Sequence, residues 1–563
     1  MDREYDIIVI GAGFGGPVAA KLCADAGLKT LLLERSKEVG DKVISGLTIP
    51  FYGFLFAPSF IRDGNPPFER PSDGIDNYII TDLENEEIIL DNSLKVPLPF
   101  SPIIAFGYNT YCKPFCQWLA HKAVDSGAEL RTSTTVVDFI EKDNEIQGVI
   151  TDKGEKIRGN IIINSEGSQG LLAIKAGIRE KYPAETISLA DTYDYIMPKE
   201  DIDRIFGYSV KMCWGWDEQK AAPPLGYGNG LMVWPYRNSL HFMQDQCLRL
   251  DNQKVPNLRK LFDIYHKKIT SKLPWWRDLV EPRIKLRARM WEGFEIYVGL
   301  NRELRQLPLV KDGMILIGDV AGLESTELCD GVPAAWFSAE IAAEVAIKAI
   351  KAHNYSSQAL KEYEFKIKSH PIIRWSISGR NRYNLRFAQK THNLKKLKRY
   401  IHNGWGLGAL TTFTSPFLKM VIPYLKKDPS ILSKWIKMFF RYYQNWLYES
   451  YDYQRGTLAK SSQMKRLTKE ERKFLRWMRF IDIGVVLMTR IGKKFKNIIN
   501  SLSTSMNTFL KSFLPLIEPL YFFILRVSRP FAISYSQKLI NFVKKANSAT
   551  FTVINERGVK YYG

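Results

Sequence analysis

Residues 5–16 read Tyr5-Asp-Ile-Ile-Val-Ile10-Gly11-Ala-Gly13-Phe14-Gly15-Gly16. The apolar run 5–10 suits a short strand buried on both faces of a parallel sheet. A glycine turn follows at once, and Pro17-Val-Ala-Ala-Lys-Leu-Cys-Ala-Asp-Ala then predicts a helix, ended by Gly27. A second strand, Thr30–Leu33, ends in Glu34. Strand, G-x-G-x-x-G turn, helix, strand and terminal acid form the order of a dinucleotide site. Gly11 permits the tight turn, Gly13 admits a pyrophosphate to the backbone, and Gly16 lets helix and sheet approach. The helix start faces the phosphates, and Glu34 can accept both ribose hydroxyls. The motif alone does not separate a nicotinamide from a flavin dinucleotide.

A second signature lies some 300 residues later. Asp312-Gly-Met-Ile-Leu-Ile-Gly318-Asp319 reads as a turn, an apolar strand and a Gly-Asp end. Ala321-Gly322, Cys329-Asp330-Gly331-Val332-Pro333 and a helix over about 333–352 follow. A strand ending in Gly-Asp can place a carboxylate on a ribityl chain, which only a flavin has. The next helix start can turn its positive end to the isoalloxazine ring.

With both signatures, the sequence resembles the FAD-dependent oxidoreductases of the glutathione-reductase-like group. Within that group it is similar to the family of electron-transfer-flavoprotein:quinone oxidoreductases and geranylgeranyl reductases. Lys42-Val-Ile-Ser45-Gly46 resembles the Lys-x-x-Ser/Thr-Gly loop of the quinone branch. Archaeal geranylgeranyl reductases tend to carry a Cys in that loop. Gln117-Trp-Leu-Ala120 through Glu129 resembles the family helix that precedes a strand, with Lys113 as the nearby basic residue. Ile161-Ile-Ile-Asn164-Ser-Glu166-Gly167 stands where the family has strand-Ala-Asp-Gly.

The resemblance implies FAD held by Gly11, Gly13, Phe14, Gly15 and Gly16, by Glu34 and Arg35, and by Lys42, Ser45 and Gly46. Further along it implies Lys113, Val136, Glu166, Gly167, Gly318, Asp319, Gly331 and Val332. Other flavoenzyme branches fit less well. The run after Gly-Asp lacks a His, no redox cysteine pair stands near residue 45, and Gly226-x-Gly228-x-Gly230 reads as a loop rather than a second nucleotide turn.

The family places a substrate domain over the flavin between about 180 and 300. Here the aromatic stretches Gly230-Leu-Met-Val-Trp234-Pro-Tyr236, Ser239-Leu-His241-Phe-Met-Gln and Trp275-Trp276 fall in it. Trp234 and Tyr236 are candidates for lining an apolar substrate pocket, against the plainer reading as sheet packing. His241 reads as a packed strand residue, and Cys112 and Cys116 as buried apolar residues. Cys329, just ahead of a helix start, is the one candidate thiol for chemistry. The seven His form no ligand spacing, so no metal site is expected.

Charge divides the chain. Residues 371–563 hold 36 Lys+Arg against 8 Asp+Glu, a net of +28, whereas 1–370 hold 44 against 51, a net of −7. All six Cys lie at or before 329, which excludes a Cys-ligated cluster in the C-terminal part. That part alternates basic clusters such as Lys395-Lys396-Leu-Lys398-Arg399 with apolar pieces and with Trp405, Trp435 and Trp446. The mixture suits a membrane interface; a helical domain packed on the body and a nucleic-acid surface are the alternatives, the last disfavoured. No run reaches the length of a membrane-spanning helix.

The expected architecture is α/β: a doubly wound FAD-binding domain from 1–180 and 290–370, a β-rich substrate domain at 181–289, and a basic, aromatic α-helical region at 371–563. The expected activity is electron transfer from a protein donor, an electron-transfer flavoprotein or a ferredoxin-like protein, to a quinone. The alternatives are saturation of a polyprenyl lipid and a binding protein without redox activity. Few Cys and the lack of a cleavable signal suggest a cytoplasmic protein attached peripherally to an anionic membrane.

Overall fold

In a computed structural model the chain divides into two compact units. One holds Met1–Val96, Phe106–Gly406 and Ile540–Gly563; the other holds Pro97–Ala105 and Leu407–Leu539. The residues described are 4–41, 46–50, 53, 57–72, 74–82, 87–95, 107–180, 187–206, 209–215, 227–247, 263, 266–267, 270–271, 275–295, 308–323, 331–370, 373, 552–555 and 558–561. All of them belong to the first unit. The sequence readings on 374–551 therefore lie outside the described residues, as do Lys42, Ser45 and Cys329.

In chain order the strands are β1 (Tyr5–Ile10), β2 (Thr30–Leu33), β3 (Gly46–Pro50), β4 (Arg70–Ser72), β5 (Gly74–Asp82) and β6 (Glu87–Lys95). Next come β7 (Gly107–Tyr111), β8 (Glu129–Arg131), β9 (Val136–Lys142), β10 (Glu145–Thr151), β11 (Lys156–Asn164) and β12 (Ile187–Ile196). Last are β13 (Ser209–Gly215), β14 (Tyr227–Pro235), β15 (Ser239–Cys247), β16 (Lys285–Glu295), β17 (Val310–Lys311) and β18 (Met314–Leu316). The helices are α1 (Gly16–Asp25), α2 (Ser59–Asp63), α3 (Cys112–Asp125), α4 (Leu171–Lys175), α5 (Lys199–Phe206), α6 (Val332–Lys351) and α7 (Ser357–Ser369).

The first sheet runs β17-β18-β11-β1-β2-β8, and β10 and β9 join it through β11. Its central pairings, β2 with β1, β1 with β11 and β11 with β18, are parallel. The run 5–10 has no polar alternation because Ile7, Ile8 and Val9 are fully buried. Helix α1 packs on this sheet and against α3 and α6. Nearly all of α6 is buried, which explains its alanine-rich sequence: small side chains let helix and helix approach. Tyr363 of α7 ties the far edge by donating its hydroxyl to the Leu316 carbonyl at 2.7 Å.

The second sheet runs β16-β12-β15-β14-β13-β5-β6 and is antiparallel except where β13 meets β5. Strands 74–95 thus join a sheet otherwise built from 187–295. One face buries Tyr193, Tyr195, Val233, Leu240 and Phe242 beneath α5 and the segment holding Trp276 and Val280. The opposite face carries Ala190, Trp234, Met243 and the neighbouring Tyr236. Residues 227–230 of the glycine-rich stretch read as a loop instead begin β14, a central strand, with a register shift between Tyr227 and Asn229; Gly226 lies outside the described residues. Gly230 pairs with Trp214 on one side and Asp245 on the other, and Gly228 sits in the register shift. Trp275 and Trp276, read among the strand aromatics, begin a π-helical turn, Trp275–Val280.

A small third sheet, β3-β7-β4, meets the second where β3 contacts β14. Its strand β7 runs directly into α3. At the far C-terminus Thr552–Asn555 and Gly558–Tyr561 form an antiparallel hairpin.

Candidate functional site

Four strands of the first sheet end level with one another. Ile10 pairs with Leu33 on one side and Asn164 on the other, and Asn164 pairs with Leu316. The chain therefore leaves the sheet at Glu34, Gly11, Ser165 and Ile317-Gly318 along a single row. Ligands of open α/β sheets lie at this carboxyl edge. The row brings the glycine turn and the Gly-Asp strand together although 300 residues separate them.

The turn is built for close approach. Gly11 has φ +92°, and a Cβ there would lie 2.5 Å from the Ser165 carbonyl oxygen. A Cβ on Gly16 would overlap the Gly11 carbonyl oxygen, so this glycine seats α1. A Cβ on Gly13 meets nothing within 4 Å: the space over this exposed glycine is open. Gly15 packs against the Ala335 carbonyl, Ile317 and Ser165, each 3.3 Å from its Cβ position. No side chain caps α1 at Gly15, which leaves its first amides to a ligand. Phe14 packs on Phe115 at 5.6 Å, and Phe115 stacks on Trp336 at 5.7 Å. These rings tie the turn to α3 and α6.

Glu34 accepts the Ala12 amide at 2.8 Å and the Ser36 amide at 2.9 Å. Two bonds leave lone pairs on both carboxylate oxygens for a diol. Arg35 is exposed beside it. Lys113, at the start of α3, pairs with Glu38 at 2.9 Å and with Asp41. Its backbone also crowds Gly40, whose Cβ would lie 2.8 Å from the Lys113 Cα. Lys113 thus pins the loop that leads to Lys42. Val136 opens β9 and is buried. Cys112 and Cys116 are buried on α3, and burial pushes the Cys116 thiol up to about 12, with the Glu34 charge adding.

Glu166 is held by protein donors. One oxygen accepts Asn164 Nδ2 at 2.8 Å and the Ala173 amide at 2.9 Å; the other accepts the Leu172 amide at 2.9 Å. It caps α4 from outside, where Gly170 at φ +59° offers no capping side chain. Gly167, which follows, has φ +80°.

Gly318 has φ +67°, and its amide donates to Ser338 Oγ at 3.1 Å. Asp319 lies in the following helical turn, and its carbonyl accepts Gly322 at 2.7 Å. Gly331 precedes α6, which no side chain caps; Pro333 occupies the first turn, and Val332 is buried. Gly318 and the α6 start adjoin, for a Cβ on Gly318 would touch Ala335 at 3.6 Å.

The second sheet turns its Trp234 face toward β3 and β7. Tyr236 is fully buried, stacks on Tyr111 at 4.2 Å and donates to the Thr110 carbonyl at 3.2 Å. The Gly46 amide donates to His241 Nε2 at 3.1 Å. Tyr111 bonds Asp194 at 2.8 Å and Ser239 at 2.5 Å, and Arg287 holds the other Asp194 oxygen at 2.6 Å. Burial first, and then the Asp194 charge, push the Tyr111 hydroxyl up. Sequence reading missed this network. Its only local sign is the polar residues at alternating positions of β12, Thr192 and Asp194. Trp234 and Tyr236 are brought together on this face and both are buried.

Among the described residues no helix is long and apolar enough to cross a membrane. The glycine cradle, the open space at Gly13, the carboxylate at the end of β2 and two uncapped helix starts fit a flavin dinucleotide. A family model described as FAD dependent oxidoreductase matches residues 6–335. The chain is 26% identical to a digeranylgeranylglycerophospholipid reductase of Methanocaldococcus jannaschii, over 65% of this chain and 82% of that one. It is 27% identical to Protein FixC of Azorhizobium caulinodans, over 61% and 76%. A geranylgeranyl bacteriochlorophyll reductase-like protein of Thermoplasma acidophilum shares the fold, with a TM-score of 0.53 and 20% identity over 70% of this chain and 95% of that one. The halogenase PltM, solved in complex with FAD, has a TM-score of 0.52 at 13% identity over 84% and 95%. The cofactor is FAD, and the chain belongs to the FAD dependent oxidoreductase family.

Proposed function

We propose that the chain passes electrons from a protein donor to a quinone, with FAD lying along the row Leu33, Ile10, Asn164, Leu316. The single observation that supports the cofactor placement is that row, since it gathers every element of both signatures. In this reading Gly11, Gly13 and Gly16 with the α1 start hold the pyrophosphate. Glu34 holds the ribose, Asp319 the ribityl chain, and the α6 start the ring. FAD supplies reversible two-electron acceptance when bound. The protein supplies orientation and an apolar wall of Trp234, Met232 and Met243 beside Gly46. That wall suits a hydrophobic acceptor. The Ser45-Gly46 loop favours a quinone, and the basic segment 371–563 suits an anionic membrane where quinones reside.

A second reading is reduction of a polyprenyl lipid, favoured by the relative named a digeranylgeranylglycerophospholipid reductase. One experiment separates the two. The full chain, loaded with FAD and reduced under anaerobic conditions, is mixed with a short-tailed quinone and, separately, with a geranylgeranyl lipid. Return of oxidised flavin absorbance with the quinone alone is expected; return with the lipid alone selects the second reading. A colourless protein that takes up no FAD would leave a binding role. Flotation with anionic and neutral vesicles tests the docking surface, and equal flotation with both counts against it.

A further inference from the structure

The face of the second sheet that carries Trp234 holds two buried polar atoms without partners. His241 is fully buried, and its Nδ1 has no hydrogen-bond partner among the described residues. Thr192 is fully buried, and its Oγ1 has none either. Leaving one such group unmet costs about 1–3 kcal/mol, so two side by side call for a common explanation.

They are side by side by register. Across the antiparallel β12–β15 ladder Asp194 stands opposite His241 and Thr192 opposite Met243. Thr192 and His241 are therefore diagonal neighbours on one face, near enough for their side chains to reach a shared atom. Gln244, also unpartnered, alternates to the other face and takes no part.

The tautomer of His241 follows from its neighbour. The Gly46 amide can only donate, and it donates to Nε2. Nε2 must therefore be the bare nitrogen. Burial first, then the Arg287 charge, hold the pKa down at about 3, so the ring is neutral and its proton sits on Nδ1. Nδ1–H is thus a donor of fixed direction that lacks an acceptor. Among the described residues no protein acceptor lies within hydrogen-bond distance of it. Tyr111 and Arg287 are committed to Asp194, and Tyr236 to the Thr110 carbonyl.

We infer that Thr192 and His241 together bind one carbonyl oxygen of the substrate, on the inner face of the second sheet. The occupant follows from the donors: an N–H and a hydroxyl on one face can both be met by a single acceptor. A quinone offers carbonyl oxygens, whereas the double bond of a polyprenyl chain offers none. This inference rests on the quinone reading and assigns its binding residues. Both atoms are sealed from solvent, so the ligand oxygen must replace a covering side chain. Met243, opposite Thr192 in the ladder, on the same face and unbranched, is the neighbour best able to move aside.

The test uses the FAD-loaded full chain and two probes: an alkylated 1,4-quinone, and the same alkylated ring without oxygens. Wild type should bind the quinone at least tenfold more tightly than the hydrocarbon. Thr192→Val keeps the shape and removes the hydroxyl. It should weaken quinone binding about tenfold, leave hydrocarbon binding and FAD content unchanged, and not lower the melting temperature. His241→Gln keeps an acceptor for Gly46 and removes the Nδ1 donor; it should show the same selective loss, which guards against a folding defect in either variant. Equal binding of both probes by wild type would mean that the pair holds only water and would overturn the inference. So would unchanged quinone binding in both variants, or loss of FAD in place of quinone. If wild-type protein is reoxidised by the lipid and not by the quinone, the functional reading itself has failed. Reoxidation by quinone with unaffected variants sinks the binding pair alone.

Discussion

The hydroxyl of Tyr236 occupies the space that a side chain on Gly46 would need. The two residues lie 190 positions apart in sequence, and their contact joins the start of β3 to the second sheet. Gly46→Ala should therefore destabilise the protein by about 1–3 kcal/mol, as overpacking does. Tyr236→Phe should rescue little, because the ring Cζ would still lie 2.5 Å from the new carbon. Tyr236→Leu in the same chain should rescue more, so that the double variant is less damaged than the separate effects added together. Denaturant midpoints of the four proteins check this. Strict additivity would mean that the contact does not set the packing.

Gly13 and Gly16 belong to one motif but should fail in different ways. A methyl on Gly13 meets open space, whereas a methyl on Gly16 overlaps the Gly11 carbonyl oxygen. Gly13→Ala should leave apoprotein stability within about 0.5 kcal/mol of wild type and weaken FAD binding by roughly tenfold or more, since the pyrophosphate needs that space. Gly16→Ala should cost about 1–3 kcal/mol in the apoprotein itself. Chemical denaturation without cofactor, followed by FAD titration, separates the two. An equally unstable Gly13→Ala apoprotein would refute the assignment of that space to a ligand.

Glu166 stands at a position where sequence pattern implies a cofactor contact, yet its carboxylate serves three protein donors. Glu166→Ala would strip the α4 start and Asn164 of their acceptor, at a cost of about 1–2 kcal/mol. Glu166→Gln, which keeps one acceptor oxygen, should lose less. FAD affinity should stay within about twofold in both. A large loss of FAD affinity with little change in stability would return Glu166 to the cofactor.

What the sequence made legible was local. The strand, turn, helix and acid of 5–34 follow one another without interruption, and each carries its own propensity signal. The same holds for 312–352. Their meeting at one edge was legible too, because parallel strands flanked by helices leave few topologies open. The remainder depends on pairing over long separations. The parallel contact of β5 with β13 joins residues 74–80 to 209–215, and nothing in either segment encodes its partner. Gly228 and Gly230 look like a loop because intrinsic preference opposes a strand there; the two strands that pair with Gly230 override it. Glu166 is ambiguous for a similar reason. An acid after a strand can face the row or cap the next helix, and sequence pattern alone does not separate the two.

Two buried histidines and the half-buried His266 predict how the fold responds to acid. Burial first, and then the Arg287 charge, bring His241 down to about 3. Burial, partly offset by Asp191 and aided by Arg289, brings His266 to about 4. His370, stacked on Phe337 at 3.7 Å, is brought by burial to about 3. All three are neutral when folded, whereas in the unfolded chain they titrate near pH 6.5. Below that pH the unfolded state binds more protons, so stability rises with pH across the window. The contribution is fully present above about pH 6.5 and is lost as pH falls toward 4 for His266 and toward 3 for the other two. Between about pH 7 and pH 5 most carboxylates stay ionised, so the slope in this range reports the histidines. The urea midpoint should drop steadily from pH 7 to pH 5, and His370→Gln, which cannot take up the proton, should flatten that drop. A midpoint that does not move over this range would show that these rings are not held neutral in the fold.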